Sequence, residues 1–171
     1  MPSTYDLVSD TTLSTASGSV AITSIPATYT DLRVVIFVPS YSSSNQDSFL
    51  TFNGDTGANY NYMCYNQANA SAGNLVSGFG NSGFNYSVQT IYTTPTYPSL
   101  YTLDIFNYTS STDKTVLVTA SQTRSNAASN LARTVHRFAT SSAISSFTLT
   151  VGGGQTYSVG TRVTLYGILK A

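Results

Sequence analysis

The sequence predicts an all-β protein built as a two-sheet antiparallel sandwich, with a jelly-roll order of strands as the favoured topology. Short runs of alternating apolar and polar residues recur along the chain, and turns rich in Gly, Asn, Ser and Pro separate them. Helix-favouring Glu is absent, whereas Ser, Thr and Asn, which compete for the helix backbone, are abundant. The length of 171 residues suits one domain, so we expect a single β-sandwich domain over residues 1–171.

Seven segments carry this alternation, and a total of about eight to ten short strands favours a two-sheet sandwich. In chain order they are "GSVAITSI" (18–25), "DLRVVIFVP" (31–39), "SFLTFNG" (48–54), "LYTLDIFNY" (100–108), "KTVLVTAS" (114–121), "FTLTV" (147–151) and "TRVTLYGILK" (161–170). The second segment is apolar at both sets of alternating positions, with Val34 and Ile36 on one face and Val35 and Phe37 on the other. This pattern is typical of a central strand that is buried on both faces.

The remaining segments carry weaker signals. We expect residues 1–13 to form an extended N-terminal arm, because they precede the first clear strand segment. Residues 66–85, "NQANASAGNLVSGFGNSGFN", are rich in Gly, Ser and Asn and predict a long exposed loop. Residues 126–133, "NAASNLAR", predict either a short helical turn or a loop.

The composition limits the classes of partner. Charged residues make up only 8% of the chain and the formal net charge is +0, so little repulsion opposes self-association or assembly. No basic excess favours nucleic acid as a partner. No apolar run reaches the roughly 20 residues that a membrane-spanning helix needs, so we expect no membrane partner. The one cysteine, Cys64, cannot form an intramolecular disulfide bond.

Candidate catalytic groups are sparse, so we expect neither enzyme activity nor a cofactor. His136 is the only histidine, and no G-x-S-x-G motif is present to supply a nucleophile for it. We therefore expect His136 to be a structural strand residue beside Arg133 and Arg137. Asp104 lies within a strand segment, and the preferred interpretation is an ion pair with a nearby arginine.

A metal site is a minor alternative at the stretch "TFNGDTGANYNYMC" (51–64). Asn53, Asp55 and Asp47, with Asn45, would supply oxygen ligands for Ca²⁺ if their two loops met. No D-x-[DN]-x-[DN]-G pattern is present, however, and Asn-Gly-Asp is typical of a tight hairpin turn. We therefore predict a turn between two strands and no metal.

The tyrosines are candidates for contact with a partner. The chain contains 13 of them, and Tyr combined with Ser, Gly and Asn is typical of adaptable contact surfaces. The candidates near expected loops are Tyr60, Tyr62, Tyr65, Tyr92 and Tyr97. The alternative is that most of them are ordinary strand residues, as the β propensity of Tyr allows.

Four segments together resemble a set of small structural proteins from the virions of tailed bacteriophages. They are "STYDLVSDTTLSTASGSVAITSIPATYTDLRVVIFV" (3–38), "LTFNGDTGANYNY" (50–62), "IFNYTSSTDKTVLVTAS" (105–121) and "AISSFTLTVGGGQTYSVGTRVTLYGILKA" (143–171). The ending "GILKA" departs from the "YGIKK" ending that is typical of the set. The resemblance implies a β-sandwich or jelly-roll module of the virion without catalytic activity.

The resemblance leaves two functions open. The favoured one is a capsid decoration (cement) protein, expected as a homotrimer that staples neighbouring subunits of the major capsid protein. The alternative is a tail-fibre or baseplate module that binds host surface glycan through the loops at 59–69 and 78–97. Both functions imply localisation to the virion, on the capsid surface or on the tail.

Overall fold

The computed structural model describes residues 4–42, 47–68, 73–85, 98–124 and 128–169. These residues form twelve β-strands. They are β1 (Tyr5–Thr12), β2 (Ser19–Ile22), β3 (Asp31–Val38), β4 (Ser48–Phe52), β5 (Tyr60–Ala68), β6 (Asn74–Asn81), β7 (Phe84–Asn85), β8 (Ser99–Phe106), β9 (Lys114–Arg124), β10 (Ala128–Phe138), β11 (Phe147–Val151) and β12 (Arg162–Ile168). The described residues include no helix, and hence none long and apolar enough to cross a membrane.

The strands form two antiparallel sheets that pack as a sandwich, which confirms the predicted fold class. The large sheet has the order β1-β12-β3-β8-β9-β10-β5-β6, and the small sheet has the order β2-β11-β4-β7. If the hairpins β5–β6 and β9–β10 are set aside, the chain changes sheet at every step from β1 to β12 except the step from β4 to β7, which are paired neighbours in the small sheet. The resulting four-stranded halves, β1-β12-β3-β8 and β2-β11-β4-β7, have a jelly-roll arrangement. The two hairpins then extend one edge of the large sheet.

The core lies between the two sheets and follows the predicted alternation. Val34, Leu103 and Leu165 of the large sheet and Leu50 and Leu149 of the small sheet are fully buried in one hydrophobic cluster. Because alternate residues of a strand point to opposite faces, each strand contributes its apolar set to this cluster.

An aromatic group closes the core where the β5–β10 extension meets the small sheet. The Tyr60 ring lies 4.8 Å from the rings of both Phe84 and Phe138, and the Phe52 ring lies 5.3 Å from that of Phe138. The Tyr60 hydroxyl accepts a hydrogen bond from the Phe52 backbone N–H and donates one to the backbone oxygen of Asp55. Both sheets are thereby tied to the turn that follows β4.

Three sequence-based expectations are wrong. The expected N-terminal arm is largely β1, an outer strand paired with β12. The expected helical turn or loop at 126–133 is β10 from Ala128 onwards, because pairing with both β5 and β9 outweighs its local propensity. Residues 126 and 127 lie outside the described residues.

The expected loop at 66–85 contains the end of β5, all of β6 and β7. Two of its glycines fit here because tyrosine rings of β5 lie over them. A Cβ atom on Gly78 would lie 2.4 Å from a ring carbon of Tyr62, and one on Gly73 would lie 2.2 Å from a ring carbon of Tyr65. The part of this segment from 69 to 72 lies outside the described residues.

Candidate functional site

The outer face of the large sheet is the surface that points away from the small sheet. One row of directly opposed residues crosses all eight strands on this face. It runs Leu7, Tyr166, Arg33, Asp104, Leu117, Val135, Met63 and Ser77. Other rows on the same face add two more apolar pairs. Phe37 of β3 lies opposite Leu100 of β8, and Tyr65 of β5 lies opposite Leu75 of the outer strand β6.

This outer face is unusually apolar for a sheet surface that faces solvent. Apart from Val159, every large hydrophobic side chain exposed in the described part of the chain lies on it. They are Tyr5, Leu7, Phe37, Met63, Tyr65, Leu75, Phe79, Leu100, Leu117, Leu131 and Val135. An antiparallel sheet with one solvated face normally carries polar residues there, and large exposed apolar patches mark interaction sites.

β3 shows the same feature within a single strand. It is central in its sheet, as predicted, and Leu32, Val34, Ile36 and Val38 are buried. Its second apolar set is not covered, since Phe37 is 41% exposed and Val35 only partly buried. The prediction that both faces of this strand are buried is therefore wrong for the isolated chain.

Ion pairs neutralise most of the charge on the outer face. Arg33 pairs with Asp104, Arg162 with Asp10, and Arg137 with Asp113. The hydrogen bond from Arg162 lowers the pKa of Asp10, and the hydrogen bond to Asp104 raises the pKa of Arg33. The outer face is consequently a nearly neutral apolar surface, and most of its charged side chains form ion pairs within the chain.

A shallow groove lies at the β5–β10 end of this face. It has a volume of about 480 Å³ and is lined by Asn61, Tyr62, Met63, Phe79, Val135 and Arg137. The sequence did not identify Phe79, because residues 66–85 were expected to form a loop. It did not identify Val135, because no strand was expected at that position. The signal that could have found Leu117 is the uninterrupted apolar run Val116-Leu117-Val118.

The tyrosine candidates separate into three groups. Tyr65 is exposed on the outer face, and Tyr62 is half-buried and lines the groove. Tyr60 is a core residue with no exposed surface, so its prediction as a partner contact is wrong. Burial raises its pKa to about 12. Tyr92 and Tyr97 lie outside the described residues.

The stretch that begins at Thr51 forms a turn, as predicted, but not a hairpin. Asn53 and Gly54 have φ angles of 52° and 69°, and the Asp55 N–H donates to the Phe52 carbonyl at 2.8 Å. The turn leads from β4 in the small sheet to β5 in the large sheet, so the flanking strands do not pair.

The side chains of Asn53 and Asp55 are engaged by internal donors. The Asn53 Oδ1 accepts from the backbone N–H groups of Ser145 and Ser146, at 2.9 and 3.2 Å, and its Nδ2 donates to the Ala143 carbonyl. The Asp55 carboxylate accepts from the Gly57 N–H and from the Asn59 side-chain amide. No group of three or more His, Cys, Asp or Glu side chains in the described part of the chain could hold a metal ion.

Asp47 instead lines a polar cleft beside the small sheet. The cleft has a volume of about 530 Å³, and its walls are Asp47, Phe49, Thr56, Ala58, Tyr62, Gly80, Asn81, Ser82, Gly83 and Asn85. It combines one carboxylate, several neutral hydroxyl and amide groups and two aromatic rings. Such a lining suits an uncharged, hydroxyl-rich ligand.

His136 is a buried strand residue, in line with the preferred interpretation, but it does not lie beside the two arginines. It points into the protein, whereas Arg133 and Arg137 are exposed on the opposite face of β10. Its ring lies 4.4 Å from that of Phe84, and neither ring nitrogen has a hydrogen-bond partner among the described residues. Burial lowers its pKa to about 3, so the imidazole is neutral at pH 7. No triad is formed around it within the described residues.

Asp104 forms the expected ion pair. Arg33 Nε donates to Asp104 Oδ1 at 2.6 Å, and Arg33 Nη2 donates to Asp104 Oδ2 at 2.9 Å. The carboxylate is thus held by a structural partner on the neighbouring strand.

Comparison with known proteins adds no relative. No family model matches the chain, and no curated protein or solved structure is significantly similar to it. The resemblance to virion structural proteins therefore depends on the four quoted segments alone.

Proposed function

We propose that this protein is a structural protein of a bacteriophage virion and serves as a capsid decoration (cement) protein. The observation that carries the proposal is the apolar outer face of the large sheet. Its partner would be an apolar surface shared by neighbouring subunits of the major capsid protein. The resemblance of the four sequence segments supplies the virion context.

The character of the outer face supports a protein partner. Three of the four arginines described on this face, at 33, 137 and 162, are paired with aspartates of the same chain. Only the positive charge of Arg133 is left outside these pairs, which is little to attract nucleic acid or anionic lipid. Large apolar side chains on a rigid sheet bury area without ordering a flexible segment, which keeps the entropic cost of association low.

Stapling follows from mass action. A protein that binds only the assembled lattice stabilises that lattice by its binding free energy at every occupied site. The rigid sandwich would span adjacent subunits, with the apolar face buried between them.

The first experiment is the copy number of the protein in purified particles, measured by quantitative mass spectrometry relative to the major capsid protein. We expect a ratio of the same order as the capsid protein. A ratio far below it would contradict the decoration role, and absence from the particle would contradict the virion role altogether.

A second experiment tests the face itself. Val135→Lys places a charge between Leu117 and Met63, the residues opposite it on the flanking strands. We expect this variant to fold but to rebind stripped capsids at least about ten-fold more weakly, which is 1.4 kcal/mol. Ala21→Lys, exposed on the small sheet, is the matched control. Equal binding by both variants would exclude the outer face as the capsid contact.

The polar cleft favours a second candidate function, a tail-fibre or baseplate module that binds host surface glycan. Hydroxyl groups of a sugar would bond to Asp47, Thr56 and Ser82, and the ring of Tyr62 or Phe49 would stack against its apolar face. The test is a calorimetric titration with host polysaccharide, with Asp47→Ala as the loss-of-binding variant. A flat titration with the unaltered protein would contradict this function.

A further inference from the structure

The two outer strands of the large sheet, β1 and β6, differ in how they are protected. β1 carries two charged residues, Asp6 and Asp10, and its pairing with β12 is interrupted by a bulge between Leu7 and Ser9. Charges and bulges on an outer strand prevent other strands from adding to it. The outer strands of the small sheet are short, with four residues in β2 and two in β7.

β6 has none of these protections along most of its length. Its sequence, "NLVSGFGN", contains no charged residue and no proline. Among the described strands, β6 pairs only with β5, so alternate N–H and C=O groups on its far side point away from the sheet. Leu75 and Phe79 are 70% and 75% exposed, the most exposed large hydrophobic side chains in the described part of the chain.

The regular part of β6 ends just after Phe79. Tyr62 pairs with Gly78, whereas Tyr60 pairs with Asn81, so β6 has one extra residue between these pairs. Gly80, with a φ of 65°, lies at this irregularity. Leu75, Ser77 and Phe79 therefore share the outer face, with Ser77 halfway between the two apolar residues.

We propose that β6 is a self-association edge, at which β6 of a second copy of this chain adds in antiparallel orientation about a two-fold axis at Ser77. This register places Leu75 of each copy opposite Phe79 of the other, Val76 opposite Gly78, and Ser77 opposite itself. The strand is thus complementary to itself, and a two-fold contact of this kind closes as a dimer. The two eight-stranded sheets become one continuous sheet.

The properties of the chain select a second copy as the occupant. β6 carries no charge and the chain has a formal net charge of +0, so no repulsion opposes this approach. Leu75 and Phe79 continue the apolar outer face, since Leu75 is opposite Tyr65 and Phe79 lines the groove with Met63. Pairing buries these side chains and satisfies the outward backbone groups in the same step. The inference is independent of the proposed capsid role and predicts a dimer rather than the expected homotrimer.

The test is the oligomeric state of the purified full-length protein, measured by light scattering after size-exclusion chromatography over a range of concentrations. We expect a concentration-dependent dimer. Ser77→Lys sets two like charges against each other at the axis and should raise the dissociation constant at least about ten-fold. Thr119→Lys, exposed on the outer face of β9, is the matched control and should dimerise normally.

Cross-linking provides a second measurement. Ser77→Cys should form a disulfide-linked dimer under mild oxidation, whereas Thr119→Cys should not. The native Cys64 is buried and will not contribute. A monomer at all concentrations, a trimer, or a dimer abolished by Val135→Lys but not by Ser77→Lys would each overturn the proposal. None of these outcomes depends on whether the protein binds capsids.

Discussion

Arg33 of β3 and Asp104 of β8 occupy directly opposed positions in the centre of the large sheet, and two hydrogen bonds join the guanidinium to the carboxylate. The pair lies in the same row as Leu117 and Val135, within the proposed contact surface. Because two parallel hydrogen bonds orient both groups, the pair holds charge on an apolar face without leaving either group unpaired.

The Arg33–Asp104 pair should contribute only modestly to the stability of the isolated chain. The two side chains are 36% and 23% exposed, so solvent screens their attraction. A double-mutant cycle with Arg33→Met and Asp104→Asn should give a coupling energy of up to about 1 kcal/mol by urea denaturation. The more exposed Arg137–Asp113 pair is the control and should give a smaller coupling. A coupling of several kcal/mol would contradict this assignment.

His136 should make folding stability depend on pH. Its pKa is about 3 in the folded protein, below the ordinary value of 6.5, because burial disfavours the charged form. Between these two values the unfolded chain binds more protons, so stability falls as the pH falls, by up to about 1.4 kcal/mol per pH unit. Urea denaturation from pH 7 to pH 3 should show this loss.

The variant His136→Leu should remove that part of the pH dependence. The leucine also leaves no unpaired ring nitrogen in the core, so the variant should be at least as stable as the unaltered protein at pH 4. Other groups contribute to the pH dependence of both proteins, so the quantity to compare is the difference in unfolding free energy between the two proteins at each pH. Identical pH profiles would show that His136 is not buried in neutral form.

Lys114 should be essential for the turn between β8 and β9. Its side chain is fully buried, and its Nζ donates to the carbonyls of Ser110, Thr112 and Thr140, at 2.8, 2.5 and 3.1 Å. Lys114→Met keeps most of the volume but removes the donor shared by these three carbonyls, which should cost at least about 2 kcal/mol of unfolding free energy. Thr115→Met, exposed on the opposite face, is the control and should stay within about 0.5 kcal/mol. Equal stabilities would contradict the role of the ammonium group.

Asn53 should act as a structural link and not as a metal ligand. Asn53→Ala loses the bonds to Ser145 and Ser146 and places a Cβ-bearing residue without a polar side chain at a φ of 52°, so we expect a loss of about 2–3 kcal/mol. Asn53→Gly loses the same hydrogen bonds but has no Cβ atom to strain the backbone, so it should be the milder change. The melting temperature should be the same in Ca²⁺ and in EDTA. A clear rise in Ca²⁺ would restore the metal hypothesis.

The strands that could be predicted are those with a clean alternation of side chains. β3, β8 and β12 place their buried residues on the predicted face, because a period of two is a local property of an extended chain. β6 and β10 could not be predicted in the same way. Their glycine, serine and asparagine residues favour turns, and pairing with β5 and β9 overrides that preference.

Some features of the candidate site could likewise be predicted from local sequence, and others could not. The ion pair of Asp104, the turn at Asn53 and the buried structural role of His136 follow from residue chemistry and neighbouring sequence. The burial of Tyr60 and the assembly of Met63, Leu117 and Val135 into one face depend on residues brought together from distant parts of the chain. No local sequence pattern indicates which strands become neighbours in a sheet.

The sequence by itself determined the fold class, the inward face of each alternating strand and the scarcity of catalytic groups, because these properties depend on composition and on a repeat of two residues. The tertiary structure alone decided that β5, β6, β9 and β10 extend one sheet, leaving its outer face apolar and β6 as its outermost described strand. The physical reason is that strand order is set by contacts distant in sequence, where backbone pairing and the burial of side chains outweigh local propensity.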